Sequence, residues 1–240
     1  MLYIIGLGLN VDGISKFGLQ AVKKCKKIYL ENYTVAFPYE MKQLVFVLKK
    51  KVIPADREKV EGLSIVDEAQ KMDVALLVYG SPLTATTHIT LLEEARKIGV
   101  RTKVIYNASV LDAVAETGLQ LYKFGKVASM PAWQSKKNYE PDSFMKIVHE
   151  NMSMKAHSLI LVDPGLEFPD ALKQLEKAAA NHKIPLKKLV VCSRLGVQGG
   201  KIHYKPVKEL REFTGVKEPY SIIIPSKLHF MEKEVLKGFE

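Results

Sequence analysis

Residues 74–88 read V-A-L-L-V-Y-G-S-P-L-T-A-T-T-H. The run Val74–Tyr79 is apolar and stops at Gly80-Ser81-Pro82, so it reads as a short buried strand ended by a turn. An amphipathic stretch from about Thr87 to Ile98 follows and is closed by Gly99. A second apolar run, Arg101–Tyr106, comes next. Strand, helix and strand in that order are the unit from which parallel sheets covered by helices are built.

The same rhythm extends towards the N-terminus. Leu2–Ile5 reads as a buried strand ending at Gly6, and Ser15 caps a helix running to about Lys24. Lys27–Glu31 is a strand. Tyr39–Lys50 is a helix with Met41, Leu44, Val45 and Leu48 on one face. Val52–Ile53 is a short strand and Leu63–Lys71 a helix. A second series follows towards the C-terminus. Val110–Thr117 is helical, Val127–Met130 a strand, Ser143–Met152 a helix and Ser158–Val162 a strand. Pro169–Asn181 is an Ala- and Leu-rich helix and Leu189–Ser193 a strand. Gly199-Gly200 marks a hairpin turn, Ser221–Ile224 is the last strand and His229–Lys237 the last helix. Each half holds enough strands for its own sheet. The expected fold is therefore α/β with two domains, 1–107 and 108–240, divided near Asn107–Ala108. Each would be a mostly parallel or mixed sheet with flanking helices. The cleft between them is the expected ligand site, lined by loops beyond the strand ends. Those loops are Gly6–Asn10, Gly80–His88, Asn107–Val110, Asp163–Gly165 and Arg194–Gly196.

Composition bounds the rest. The chain has 240 residues, 47% hydrophobic and 26% charged, the balance of a globular protein able to bury a core. No run approaches the roughly 18 apolar residues that span a bilayer. No Lys or Arg precedes the first apolar run, which argues against a secretory signal. Cys25 and Cys192 cannot build a disulfide framework and read as reduced thiols of a cytoplasmic protein. Lys and Arg number 36 against 26 Asp and Glu, a net charge of +10. Clusters at Lys23–Lys27, Lys49–Lys51 and Lys136–Lys137 fit solvated helix faces; their functional reading is attraction to an acidic macromolecule. No pattern for sequence-specific nucleic-acid binding occurs.

Generic chemical motifs do not fix the reaction. Gly6-Leu7-Gly8 follows a strand, but Val11 stands where a dinucleotide fingerprint has its third glycine, and no helix opens at once. Neither a phosphate-binding GxxxxGK[ST] loop nor a G-x-S-x-G elbow is present. The six histidines show no metal-ligand spacing.

Longer strings are more informative. They are Y-I-I-G-L-G-L at Tyr3–Leu9, E-N-Y-T at Glu31–Thr34, G-S-P-L-T-A-T-T-H at Gly80–His88, and A-S-V at Ala108–Val110. Further on come G-L-Q-L-Y-K-F-G-K at Gly118–Lys126 and P-S-K-L-H at Pro225–His229. Together the chain resembles the diphthine synthase family of the tetrapyrrole (corrin/porphyrin) methylase superfamily, from residue 1 to about 135 and again from about 155 to the end. The resemblance implies an S-adenosylmethionine-dependent methyltransferase, a homodimer with its cofactor in the interdomain cleft, releasing S-adenosylhomocysteine. It implies a protein substrate, the 3-amino-3-carboxypropyl-histidine of translation elongation factor 2, whose amino group is methylated to give diphthine.

Carried over by position, the cofactor contacts fall on Leu9, Ser81, Thr84, Ser109, Val110, Val162, Leu195 and Tyr220. The chain departs from the family pattern in three places. Ser81 stands where Asp is usual, Tyr220 stands where His is usual, and Asp163–Lys188 is shorter and matches poorly. The resemblance singles out no general base and no metal ligand. The quaternary ammonium of the family's product suits an aromatic wall, for which Tyr33, Phe37 and Trp133 are candidates beside a plain core role. Three other readings stay open: a corrin-precursor methyltransferase, a degenerate cofactor-binding paralogue suggested by Ser81, and a basic RNA-binding module.

Overall fold

The computed structural model describes residues 1–134 and 137–240. Lys136 of the last basic cluster lies outside the described residues. The chain divides into two compact units, Met1–Val110 and Leu111–Glu240.

The first unit contains β1 (Leu2–Gly6), α1 (Lys16–Lys24), β2 (Lys27–Glu31), α2 (Met41–Leu48), β3 (Ile53–Ala55), α3 (Arg57–Glu61), α4 (Ser64–Lys71), β4 (Val74–Val78), α5 (Ile89–Lys97) and β5 (Thr102–Ile105). Its sheet has the order β3-β2-β4-β1-β5, with every neighbouring pair parallel. β1 and β4 are apolar along their whole length because both faces of a parallel sheet are covered. β3 is an outer strand, where Pro54 lacks no ladder bond that matters. Side chains alternate between two cores, as the period of two demands. Ile5, Leu30 and Leu77 pack with Val22 of α1 and Leu44 of α2. Ile4, Leu76 and Val78 pack with Val60 of α3, Ile65 of α4 and Leu91 of α5. The connection leaving β1 therefore crosses one face and the connection leaving β4 crosses the other. Ser15 caps α1 by accepting from the Gly18 N–H at 3.0 Å.

The second unit contains α6 (Val110–Ala113), which starts on the last residue of the first unit, then β6 (Ala128–Met130), α7 (Phe144–Ser153), β7 (Ser158–Val162), α8 (Phe168–Asn181), β8 (Lys188–Ser193), β9 (Lys201–Pro206), α9 (Val207–Leu210), β10 (Tyr220–Ile224) and α10 (Phe230–Lys237). Its sheet is mixed, in the order β6-β7-β10-β8-β9. Only β6–β7 is parallel; β10 runs antiparallel between β7 and β8, and β9 returns antiparallel to β8. Each half was expected to be a mostly parallel or mixed sheet, and the two units take one form each: the first is parallel and the second mixed. The turn read at Gly199-Gly200 closes a longer loop, Arg194–Gly200, between β8 and β9.

Two of the strings that carried the resemblance interlock in this unit. Glu232 of α10 is fully buried. Its carboxylate accepts from the Gln120 N–H at 3.0 Å, the His229 N–H at 2.6 Å, the His157 ring at 3.1 Å and the Lys123 ammonium. The Ser226 N–H donates to His157 Nδ1 at 3.0 Å, so Nε2 carries the ring proton and donates to Glu232. Gly118 sits at φ +78°, and a Cβ there would lie 2.3 Å from Val235, which explains the glycine that opens the G-L-Q-L-Y-K-F-G-K string. Burial opposes the charge of Glu232, but the hydrogen bonds from Lys123, the two backbone N–H groups and His157 outweigh it and hold its pKa at about 2. Burial also keeps His157 below its ordinary value.

A depressed carboxylate stabilises the fold above its ordinary value of 4.5 and loses that contribution as pH falls towards about 2. The neutral, buried His157 acts in the same direction below its own ordinary value. In urea titrations across pH, stability is expected to drop by about 3 kcal/mol between roughly pH 5 and 2. Glu232→Gln should flatten that slope and cost about 3 kcal/mol at pH 7.

Candidate functional site

In the first unit, β1 and β4 are neighbours whose connections leave on opposite faces of the sheet. Such a switch point opens a crevice beyond the carboxyl ends of the strands, the default ligand site of an open α/β sheet. The loops that leave β1, β4 and β5 meet there. Gly8 and Gly80 form an isolated antiparallel bridge, with N–H···O distances of 3.1 and 3.0 Å in the two directions. Both have positive φ, +71° and +70°. A Cβ on Gly6 would stand 2.6 Å from the Gly80 carbonyl oxygen, so backbone approaches backbone with no room for a side chain.

Asn107, directly after β5, ties the third loop in. Its Nδ2 donates to the carbonyls of Gly6 at 3.0 Å and Gly13 at 2.9 Å, and its Oδ1 accepts from the Ala108 N–H at 2.9 Å. These bonds join the expected boundary residue Asn107 to the first unit. Tyr79 adds a further tie, donating its hydroxyl to the Leu9 carbonyl at 2.8 Å. Within the Gly80–His88 loop, Thr84 N–H donates to Ser81 O at 3.2 Å. Thr86 Oγ1 at 3.1 Å and His88 Nδ1 at 3.0 Å donate to Pro82 O. His88 is buried, and its Nε2 makes no hydrogen bond among the described residues.

Five of the residues carried over by position, Leu9, Ser81, Thr84, Ser109 and Val110, lie on these three loops. Leu9 and Ser109 are buried, while Ser81, Thr84 and Val110 are half-buried. The other three, Val162, Leu195 and Tyr220, gather where β7, β8 and β10 end or begin, on one side of the second sheet. The register pairs Tyr220 with Ser193 and Ser221 with Leu161, which brings the start of β10 to the ends of β7 and β8. Tyr220 donates to Leu166 O at 2.7 Å and stands edge-on to Phe168. Burial, and then the nearby Glu218, push its hydroxyl well above the ordinary phenol range, so it is a neutral donor at every working pH. Arg194 and Glu218 stitch this edge together: Arg194 Nε donates to Glu218 O at 2.7 Å, and Glu218 accepts from the Gly165 N–H at 2.7 Å.

The aromatic candidates separate. Phe37 stands 5.5 Å from both Tyr39 and Tyr79, so it backs the Leu9 loop. Tyr33 lies under the Arg57 guanidinium. Trp133 packs on the core of the second unit, with Nε1 donating to Pro141 O at 2.9 Å and the Lys177 ammonium over its ring. Sequence reasoning placed Asn107 in a ligand loop but not its bonds, and it did not single out Tyr79 or Glu218. Each acts through a backbone carbonyl or N–H far along the chain, and no spacing announces such a bond.

The first unit's crevice fits S-adenosylmethionine. Leu9 and Val110 are apolar, and Ser81, Thr84 and Ser109 supply hydroxyls. Residues 80–88 carry four hydroxyls and no carboxylate.

Residues 1–211 match the model of the tetrapyrrole (corrin/porphyrin) methylases, and the chain belongs to that family. Diphthine synthase of Methanococcus maripaludis is 34% identical over 251 residues, covering 99% of this chain and 98% of the relative. Diphthine methyl ester synthase of Schizosaccharomyces pombe is 44% identical over 166 residues, covering 68% of this chain. That match spans 58% of the relative's own length. A crystal structure of a diphthine synthase superposes with a TM-score of 0.89 at 30% identity, covering 99% of this chain and 95% of the other.

If Asn107 holds the three loops together, Asn107→Ala should lower the unfolding free energy by about 1–3 kcal/mol, because the buried Gly6 carbonyl and the half-buried Gly13 carbonyl lose their donor. Denaturant unfolding measures this directly.

Proposed function

We propose that the chain is an S-adenosylmethionine-dependent methyltransferase that makes diphthine. Its substrate is the 3-amino-3-carboxypropyl-histidine of translation elongation factor 2, and it methylates the amino group. The observation that carries this reading is the switch-point crevice in a chain whose full-length relative is a diphthine synthase. In the first unit, Leu9, Ser81, Thr84, Ser109 and Val110 hold the cofactor; in the second, Val162, Leu195 and Tyr220 are the further contacts that the family resemblance implies. The enzyme works in the cytoplasm as a homodimer. No described helix is long and apolar enough to cross a membrane.

The cofactor, when bound, supplies a methyl group made electrophilic by a sulfonium centre. What remains for the protein is alignment of amine, methyl carbon and sulfur, and positioning of that kind supplies much of a displacement rate. An α-amino group with pKa near 8 is about one-tenth deprotonated at pH 7, a deficit of about 1.4 kcal/mol. The reaction therefore needs orientation more than it needs a base.

A second reading is favoured by one observation, the 44% identity to fungal diphthine methyl ester synthases. On that reading the carboxylate of the same side chain is a further methyl acceptor. Mass spectrometry of the modified peptide separates the two products by the number of methyl groups added, and by whether one is lost in mild base.

Titration calorimetry with S-adenosylhomocysteine tests the cofactor assignment. A micromolar Kd, about −8 kcal/mol, is expected; a folded sample that binds neither this product nor S-adenosylmethionine contradicts the proposal. Ser81→Asp should tighten S-adenosylmethionine, which carries the sulfonium charge, by up to about fivefold relative to the uncharged-sulfur product. The net charge of +10 predicts that methyl transfer to elongation factor 2 weakens from low to high salt.

A further inference from the structure

Because β3, β2 and β4 are parallel neighbours, their carboxyl ends lie side by side, next to the crevice at β4 and β1. At the end of β2, Glu31 is fully buried. Its carboxylate accepts from the Tyr33 N–H at 2.8 Å, the Thr34 N–H at 2.7 Å and the Thr34 hydroxyl at 2.6 Å. These bonds fix the E-N-Y-T turn and hold Tyr33 in one position. At the end of β3, Asp56 caps α3 by accepting from the Lys59 N–H at 2.8 Å. That cap places Arg57 over the Tyr33 ring, its guanidinium carbon 5.1 Å from the ring centre.

Arg57 has donors to offer. Its side chain is 69% exposed, and its nearest carboxylate, Glu61, stands 3.8 Å away, beyond hydrogen-bond distance. Glu61 instead accepts from Thr87 Oγ1 at 3.3 Å, which ties α3 to the Gly80–His88 loop. The Tyr33 hydroxyl is buried beside Thr87, which faces it, and makes no well-formed hydrogen bond among the described residues. An exposed guanidinium over an aromatic ring, its ion pair to Glu61 a long one, can turn its fork to a carboxylate beside the ring.

We propose that Arg57 and Tyr33 form a carboxylate subsite that binds the carboxylate of the substrate's 3-amino-3-carboxypropyl group. The inference rests on the function proposed above and deepens it. A carboxylate bound at the ends of β2 and β3 lies next to β4, whose loop is one of the proposed cofactor loops. The subsite then sets which side chain is methylated, and Arg57 and Tyr33 are specificity residues rather than acid–base groups.

Steady-state methyl transfer to elongation factor 2 carrying the unmethylated side chain is the test, with S-adenosylhomocysteine calorimetry on every variant. A wild-type chain that binds the product yet transfers no methyl overturns the proposed function and this subsite together. With an active wild type, Arg57→Gln should raise KM for the protein substrate by about tenfold or more and leave product affinity within about twofold. Arg57→Lys should recover part of that loss. Arg101→Gln, an exposed arginine ahead of β5, controls for general charge and should leave KM unchanged. Tyr33→Phe removes a buried hydroxyl that makes no well-formed hydrogen bond. A purely structural tyrosine would then give a higher Tm and unaltered kinetics, whereas the subsite predicts KM raised severalfold at an equal or higher Tm. The subsite is overturned if Arg57→Gln and Tyr33→Phe both keep KM within about twofold of wild type, or if Arg101→Gln raises KM as much as Arg57→Gln.

Discussion

The close approach of Gly8 to Gly80 is the constraint on which the candidate site depends. Two backbone hydrogen bonds join the loops leaving β1 and β4, at the point where their connections part to opposite faces. The approach is possible because Gly6, Gly8 and Gly80 carry no side chains and two of them take a positive φ that other residues adopt only under strain. Asn107 then adds the loop leaving β5 through the Gly6 and Gly13 carbonyls. Leu9, Ser81 and Ser109 are neighbours because of those few bonds, and the alternation of strand and helix alone would not have joined them.

The second unit solves a different problem with a buried charge. Glu232 is removed from water but surrounded by donors from two N–H groups, a lysine and a histidine. Burying a carboxylate without such partners is strongly unfavourable, and with them it locks α10 to the Gly118–Lys126 segment. At the opposite end of the same logic, Glu31 in the first unit is a buried carboxylate that fixes a turn of four residues. Each unit thus uses one buried acidic side chain to anchor a family-like string: Glu31 the E-N-Y-T turn, and Glu232 the Gly118–Lys126 segment.

Much of this was legible in the sequence. Buried strands announced themselves as short apolar runs, Ser15 announced the start of α1, and Gly99 announced the end of α5. The five expected ligand loops follow β1, β4, β5, β7 and β8, the strands read from the apolar runs. Pairing direction was not legible, since β10 has the same composition whether it runs with or against β7. The five-residue α3 was too short to show a helical period, although its Asp56 cap is visible afterwards. The G-L-G-L string failed as a dinucleotide fingerprint for a physical reason: its second glycine meets Gly80 instead of opening a helix, and α1 begins only at Lys16. Side chains that act on distant backbone, such as Asn107, leave no periodic trace.

The proposed function puts one cofactor site on the loops leaving β1, β4 and β5. Amide hydrogen exchange with and without S-adenosylhomocysteine tests it most directly. Slowed exchange is expected in residues 6–10, 80–88 and 107–111 together, with smaller effects on the core strands that already exchange slowly. Saturating ligand that protects none of these three segments, or protects one while leaving the other two unchanged, would contradict it.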